Sequence, residues 1–224
     1  MFLKNIKYIF ASTLRRKILD KLLSDNVGYF KSDSVVLDIG GRDRGKFIKP
    51  KNNVKKWIFA DIDPSYNPDV VLDVSDMKPI KSNSIDVILA TELFEHVAEP
   101  QKGIKECFRV LKKGGIFIIS APFLYRIHAD PDDFQRWTDK KWIYELETIG
   151  FKLEKIEVMG RFFSVMSDNF RFFIQSLPRL IKYILYPLVL MSDFISLLDR
   201  TKLILNSKIL DSFHGGYFIV ATKS

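Results

Sequence analysis

The sequence predicts an α/β fold: an open, mostly parallel seven-stranded sheet flanked by helices, with a helical insertion before the last strand. Three observations carry this. Seven short strand-like runs recur, at 35–38, 57–60, 70–73, 85–90, 116–121, 153–158 and 217–222. Several, such as IFIISA and YFIVA, are apolar throughout, as strands covered on both faces are. Helical spacing fills some of the intervals between them, and strand-helix alternation is the pattern of a parallel sheet.

Taken in order, residues 1–30 come first. They open with MFLKNIKYIFASTLRRKILDKLL, where charges interrupt every apolar stretch, so no cleavable leader is expected. The better reading is a basic amphipathic helix with Phe2, Ile6, Ile9, Phe10 and Leu14 near one face. Residues 1–31 hold seven Lys/Arg and two Asp/Glu, which is five of the eight net positive charges. Anionic lipid, nucleic acid or a phosphorylated substrate would suit that charge, and so would plain solvent around a surface helix.

Residues 35–47, VVLDIGGRDRGKF, read as a buried strand carrying Asp38, then a tight turn at Gly40 and Gly41 where backbone can approach a ligand. Pro50 limits any helix that follows to a short one. The second strand, WIFA, ends at Asp61 and Asp63, and a carboxylate there can accept hydrogen bonds from ribose hydroxyls. Pro64 and Pro68 fall in the nine residues between Ala60 and Val70, so an irregular connection is expected rather than a helix. Asp73 ends the third strand. The fourth ends at Ala90 and opens into the polar loop Thr91-Glu92 at the carboxyl edge of the sheet. Helical spacing over 100–111 places Ile104, Cys107, Phe108 and Leu111 inward, which makes Cys107 a core thiol. A second helix over 139–149 places Trp142, Leu146 and Ile149 together, with Thr138 as N-cap. Residues 161–212 are apolar, lack glycine and predict two or three helices. Their longest uncharged run, from Tyr183 to Ser192, is ten residues against about 20 for a spanning helix, so no transmembrane segment is expected.

With 224 residues, 47% of them hydrophobic, the chain can build one core domain with an elaboration. The parts expected are 1–30, a core of 31–160 with 213–224, and the insertion 161–212. One cysteine excludes an intramolecular disulfide and suits a reducing compartment, so a cytoplasmic location is expected. The insertion 161–212 is open as a substrate lid, a dimer element or, together with 1–25, a contact to the inner face of a membrane. No Cys/His cluster has metal-ligand spacing, and no metal is expected.

VLDIGG, ADIDPS, LDVSDMKPIKSNSIDVIL, ELFEHV and RVLKKGGIFIISAP occur in that order over residues 35–122. In this the chain resembles class I S-adenosylmethionine-dependent methyltransferases, with a Rossmann-like sheet and small-molecule acceptors. The resemblance implies that Asp38 sits near the methionine ammonium, with Gly40 and Gly41 against the cofactor. It implies Asp61 on the ribose, Ile62 on the adenine, Asp73 and the Val74 backbone at the adenine amino group, and Thr91 and Glu92 at the methionine end. The chain departs from the family at Arg42-Asp43-Arg44-Gly45, where a more compact glycine turn is usual.

HADPDDFQRWT, residues 128–138, resembles a segment of methyltransferases linked to cell-surface glycan biosynthesis. His128 is then the candidate base for a hydroxyl acceptor, Asp133 its orienting carboxylate, and Arg136 a clamp for an anionic substrate group. An Asp133–Arg136 pair that merely fixes the loop is the competing reading. His96 is set aside as a packing residue at the start of a helix. The expected function is methyl transfer to a hydroxyl of a sugar or lipid-linked glycan. A nucleic-acid methyltransferase is disfavoured by the absence of an Asn-Pro-Pro-aromatic tetrad after the fourth strand. A nicotinamide dehydrogenase lacks its glycine fingerprint here. A non-catalytic cofactor-binding protein of the same fold also stays open.

Overall fold

The computed structural model describes residues 12–42, 45–128 and 132–224. Its strands are β1 (Val35–Ile39), β2 (Lys56–Asp61), β3 (Val70–Val71), β4 (Ile85–Thr91), β5 (Leu111–Pro122), β6 (Phe151–Val158) and β7 (Gly216–Lys223). They form one sheet in the order β3-β2-β1-β4-β5-β7-β6, with β7 antiparallel to both neighbours and every other pair parallel. This is the expected Rossmann-like sheet. The helices are α1 (Leu14–Asp25), α2 (Pro100–Val110), α3 (Asp139–Ile149), α4 (Phe162–Ser176), α5 (Arg179–Ile195) and the short α6 (Lys202–Leu205). The last three form the helical insertion between β6 and β7.

Each face of the sheet has its own core. On one, Leu37, Ile88, Phe117 and Ile219 meet Ile104 and Cys107 of α2 and Trp142 and Leu146 of α3. Cys107 is fully buried and its thiol is pushed up by that burial, so it is the inert core residue expected. On the other face, Val36, Val87, Leu89, Phe218 and Val220 meet Leu19, Leu22 and Leu23 of α1. Alternate residues of β4 supply both cores, which is why this strand reads as continuously apolar.

The β1–β2 connection explains the position of α1. Its regular structure among the described residues is a three-residue 3-10 turn, Lys51–Asn53, just after Pro50. That connection contributes Phe47 and Val54 to its face of the sheet, and α1 supplies the buried Leu19, Leu22 and Leu23 there. Thr13 caps the helix by accepting from the Arg16 N–H, and the Asn26 side chain closes it on the Leu22 carbonyl. The apolar side of residues 14–25 thus lies inside the protein. The amphipathic pattern at Phe2, Ile6, Ile9 and Phe10 falls outside the described residues.

Several local expectations need correction. The third strand keeps only Val70 and Val71, because Leu72 turns into the core and Asp73 meets Asp76 in an isolated bridge. His96 ends a 3-10 turn, Phe94–His96, and the helix begins at Pro100. Thr138 caps α3 as expected, accepting from the Lys141 N–H at 3.3 Å. The stretch Arg179–Arg200 is 22 residues of continuous helical structure, within which an 18-residue window has mean hydropathy 1.6. By length and composition alone it could cross a membrane, which does not overturn the expectation drawn from its charge-free run.

If α1 is an integral cover of the sheet, Leu19→Ala should cost about 2–5 kcal/mol in urea denaturation. A loss under about 1 kcal/mol would show that the sheet does not need this helix.

Candidate active site

Strand order reverses between β1 and β4, and this leaves a crevice beyond the carboxyl ends of the strands. Asp38 lies within β1 and is 1% exposed. Trp57 Nε1 donates to its Oδ2 at 3.1 Å, and Lys49 Nζ lies 2.9 Å from the same oxygen. Asp38 Oδ1 is buried without a hydrogen bond among the described residues. Burial pushes the carboxyl above its ordinary value, against the pull of Lys49 and Trp57. Lys49 Nζ also donates to the Gly41 carbonyl. An ammonium of this chain therefore occupies the place expected for the methionine ammonium.

The glycines are sterically required. Gly40 has φ +66, a left-handed conformation that side chains resist. A Cβ on Gly41 would fall 1.8 Å from Asp38 Oδ1. The loop is tied to α1 at Lys46, whose N–H donates to Asp20 Oδ2 at 2.8 Å. Arg42, which departs from the compact pattern, folds back over the crevice. Its Nε is 3.3 Å from Asp61 Oδ2, and its guanidinium stacks 3.6 Å above the Tyr66 ring centre. Asp43 and Arg44 lie outside the described residues.

Two cavities of about 350 and 340 Å³ meet along the crevice and share Gly40, Arg42 and Glu92 as lining. The second also takes in Asp61, Ile62, Asp73 and Val74. Asp61 is 3% exposed and accepts from the Asp63 N–H, whereas Ile62 is 61% exposed. Asp73 is exposed and accepts from both the N–H and the hydroxyl of Ser75. The first cavity takes in Thr91 and the cations Arg16, Arg42, Lys49 and Lys51. The structure thus brings the expected nucleoside-side residues to one cavity and Thr91 to the other. Asp38 lies beneath the glycine turn.

Glu92 sits at the junction with φ +53, a conformation uncommon for a non-glycine residue and costly enough to be found mainly at functional sites. Its carboxylate pairs with Arg15 of α1 and accepts from the Ser120 hydroxyl at 2.9 Å. Burial alone would raise this carboxyl, but Arg15, Arg16 and Ser120 overcome it and hold it below its ordinary value. Arg15 also lies 4.3 Å from the Tyr125 ring centre, and its backbone N–H is held by Asp168 of α4. Sequence reasoning missed Arg15, because a basic helix reads as a solvated surface until its partner is known.

From Tyr125 the polar wall continues to His128, with ring centres 5.3 Å apart, and on to His96 at 5.1 Å. Asp133 holds His128 twice. Its Oδ2 accepts from the His128 backbone N–H at 2.9 Å and lies 3.2 Å from Nδ1. Arg136 forks onto both Asp133 oxygens and donates to the carbonyls of Gln135 and Arg126. The Arg136 hydrogen bond is the main reason the Asp133 carboxyl is held down at about 2. Both terminal nitrogens of Arg136 thus hold Asp133 and the loop, the arrangement of the competing structural reading, while its Nε has no hydrogen bond among the described residues. Burial, and then His96, lower the His128 imidazole below 6.5, while Asp133 pulls the other way.

Glu95 was also missed. It is 2% exposed, neither carboxylate oxygen has a hydrogen bond among the described residues, and burial, reinforced by Glu92, pushes it up to about 8. Glu95, His96 and His128 each bring one ligand-type atom to within 4.8 Å of the others. Such a set can hold a divalent ion, and spacing could not reveal it because the two histidines come from distant loops. His96 consequently belongs to the wall of the crevice and not only to packing.

Residues 50–119 match the model of a methyltransferase domain. A probable S-adenosylmethionine-dependent methyltransferase of Mycolicibacterium smegmatis is 39% identical over 44 residues, 20% of this chain and 17% of that protein. This chain thus matches well under two thirds of that relative's length. A S-adenosylmethionine-dependent methyltransferase structure from Archaeoglobus fulgidus superposes with TM-score 0.61 at 19% identity, covering 100% of both chains. The phosphoethanolamine N-methyltransferase 2 of Haemonchus contortus, in complex with S-adenosylmethionine, superposes with TM-score 0.57 at 16% identity, covering 92% of this chain and 52% of that one. At these identities the superpositions establish the fold. The glycine cradle, the buried orphan oxygen of Asp38 and the Asp61 carboxylate fit S-adenosylmethionine as the cofactor, once Lys49 and Arg42 yield their places. Residues 50–119 are thus similar to a methyltransferase domain, and the sheet has the fold of these solved S-adenosylmethionine-dependent methyltransferases.

Proposed function

We propose that the chain is a working methyltransferase whose acceptor is a hydroxyl of a sugar or lipid-linked glycan. The observation that carries this reading is the setting of His128. Its Nδ1 faces the Asp133 carboxylate at 3.2 Å and the Arg126 carbonyl at 3.3 Å, so the N–H belongs there and Nε2 keeps the lone pair. With its basicity below 6.5, the ring is neutral near pH 7 and able to take a proton.

When bound, S-adenosylmethionine supplies a sulfonium methyl group, whose carbon–sulfur bond breaks as the acceptor oxygen bonds to carbon. His128 receives the hydroxyl proton at Nε2. Asp133 fixes the imidazole and favours the imidazolium that results, and Arg136 keeps Asp133 in place. The cations of the first cavity suit an acceptor carrying phosphate, as a lipid-linked or nucleotide-linked sugar does. The similarity of residues 128–138 to glycan-pathway methyltransferases and the single reduced cysteine support a cytoplasmic sugar acceptor.

One observation favours a second reading. Asp38, Asp61 and Glu92 are each paired with a cation of this chain, Lys49, Arg42 and Arg15. A protein that binds the cofactor without turnover would tolerate that arrangement. Labelled S-adenosylmethionine incubated with cell-envelope extract separates the two. The first reading expects a labelled glycan by mass spectrometry. Tight S-adenosylhomocysteine binding with no labelled product across envelope and soluble acceptors would favour the second.

For the working enzyme, His128→Gln should lower turnover about a hundredfold or more, with S-adenosylhomocysteine affinity within about twofold by calorimetry. In NMR titration, His128 should have its midpoint below 6.5, and Asp133→Asn should lower it further, because the lost carboxylate favours the charged ring. An unchanged or higher midpoint in that variant would remove Asp133 from its role. Gly41→Ala should weaken S-adenosylhomocysteine binding by about tenfold or more, since its Cβ displaces Asp38.

A further inference from the structure

Helix α5 exposes its most apolar side. The side it presents to the protein is mixed, with Val189 fully buried and Leu185, Tyr186, Ser192 and Asp193 half-buried. Asp193 accepts both contacts of Arg171 Nη2, at 2.7 and 2.6 Å, and pairs with Lys17 at 3.0 Å. Ser192 and Asp193 both bond the Ser167 hydroxyl, and Ser196 is buried. Arg171 is itself fully buried. The opposite side is apolar and open. Leu180, Ile184, Met191 and Phe194 are 74%, 66%, 55% and 73% exposed, and with Pro187 and Leu198 they follow helical spacing along one stripe. A helix in water has the reverse polarity.

The charges around the stripe are of one sign. Residues 177–210 hold five basic side chains, Arg179, Lys182, Arg200, Lys202 and Lys208, and two acids, Asp193 and Asp199. Both acids point inward, Asp193 as described and Asp199 to cap α4 through the N–H groups of Arg161, Phe163 and Ser164. Arg179 and Lys182 mark one end of the stripe, and Arg200 and Lys202 the other.

We propose that this face docks on an anionic lipid bilayer, with α5 lying in the plane of the interface. Its apolar stripe, about 27 Å long at 1.5 Å per residue, enters the boundary between headgroups and acyl chains. The basic ends reach back to lipid phosphates. A second copy of the chain fits less well, because a two-fold interface would bring the same positive ends together without an acid to meet them. A spanning helix fits less well too, because Asp193 ties the carboxyl-terminal part of α5 to Arg171 and Lys17. The proposal is independent of the methyltransfer reading.

The test is co-sedimentation of the full chain with phosphatidylcholine vesicles, with and without phosphatidylglycerol. Binding should require the anionic lipid and fall with added salt. Met191→Glu combined with Phe194→Glu should lower partitioning about tenfold or more while leaving S-adenosylhomocysteine affinity unchanged. Phe194→Trp, a milder change, should show an emission shifted to shorter wavelength when anionic vesicles are added. Equal binding by the double variant, an unshifted Phe194→Trp emission, or a sedimenting dimer that the double variant dissociates and that ignores vesicles would each overturn the proposal.

Discussion

A parallel sheet must be covered on both faces, and in this chain one covering helix is missing from its usual place. The β1–β2 connection is interrupted at Pro50 and, among the described residues, forms no more than a 3-10 turn at Lys51–Asn53. Helix α1 fills the gap with Leu19, Leu22 and Leu23. Much of the site follows from that substitution. Once α1 lies on the sheet, its first turn reaches the carboxyl edge, and Arg15 arrives beside Glu92. Its middle brings Asp20 beneath the loop after β1 and fixes Gly45 and Lys46.

The electrostatics of the crevice share one theme. Three carboxylates face or underlie it, and each meets a cation drawn from a different part of the chain. Desolvation makes an unpaired carboxylate expensive at these positions, so pairing stabilises the folded chain. Ligand binding then becomes an exchange of partners: a cofactor ammonium can replace Lys49, and ribose hydroxyls can replace Arg42. Such exchange costs less than burying new charge. Glu95 is the exception. Its oxygens have no hydrogen bond among the described residues, and burial with Glu92 nearby raises it to about 8.

The sheet was legible because apolar runs and turn residues are local signals. All seven strands fall where the sequence places them, and Thr138 and Cys107 behave as their positions predict. The third strand was overread, since four consecutive strand-like residues do not reveal that Leu72 turns inward. The glycine cradle, Asp61 and the Thr91-Glu92 loop were legible through ordered motifs. The cations were not. Arg15, Arg42 and Lys49 look like any surface charge until folding brings carboxylates to them, and pairing across the chain leaves no spacing to read. His96 was discounted for the same reason, because its neighbour His128 is remote in sequence. The polarity of α5 was hidden too: composition marks a helix as apolar, but only packing shows which side is inward.

Helix α1 serves two masters, and this couples properties that are usually separable. The same twelve residues seal the core and supply the counter-charge at the mouth of the crevice. An affinity tag, a fusion partner or a processing event that disturbs the stretch just ahead of Thr13 would therefore register as altered cofactor binding as well as lost stability. Residues 14–25 are thus at once part of the core and part of the wall of the candidate site.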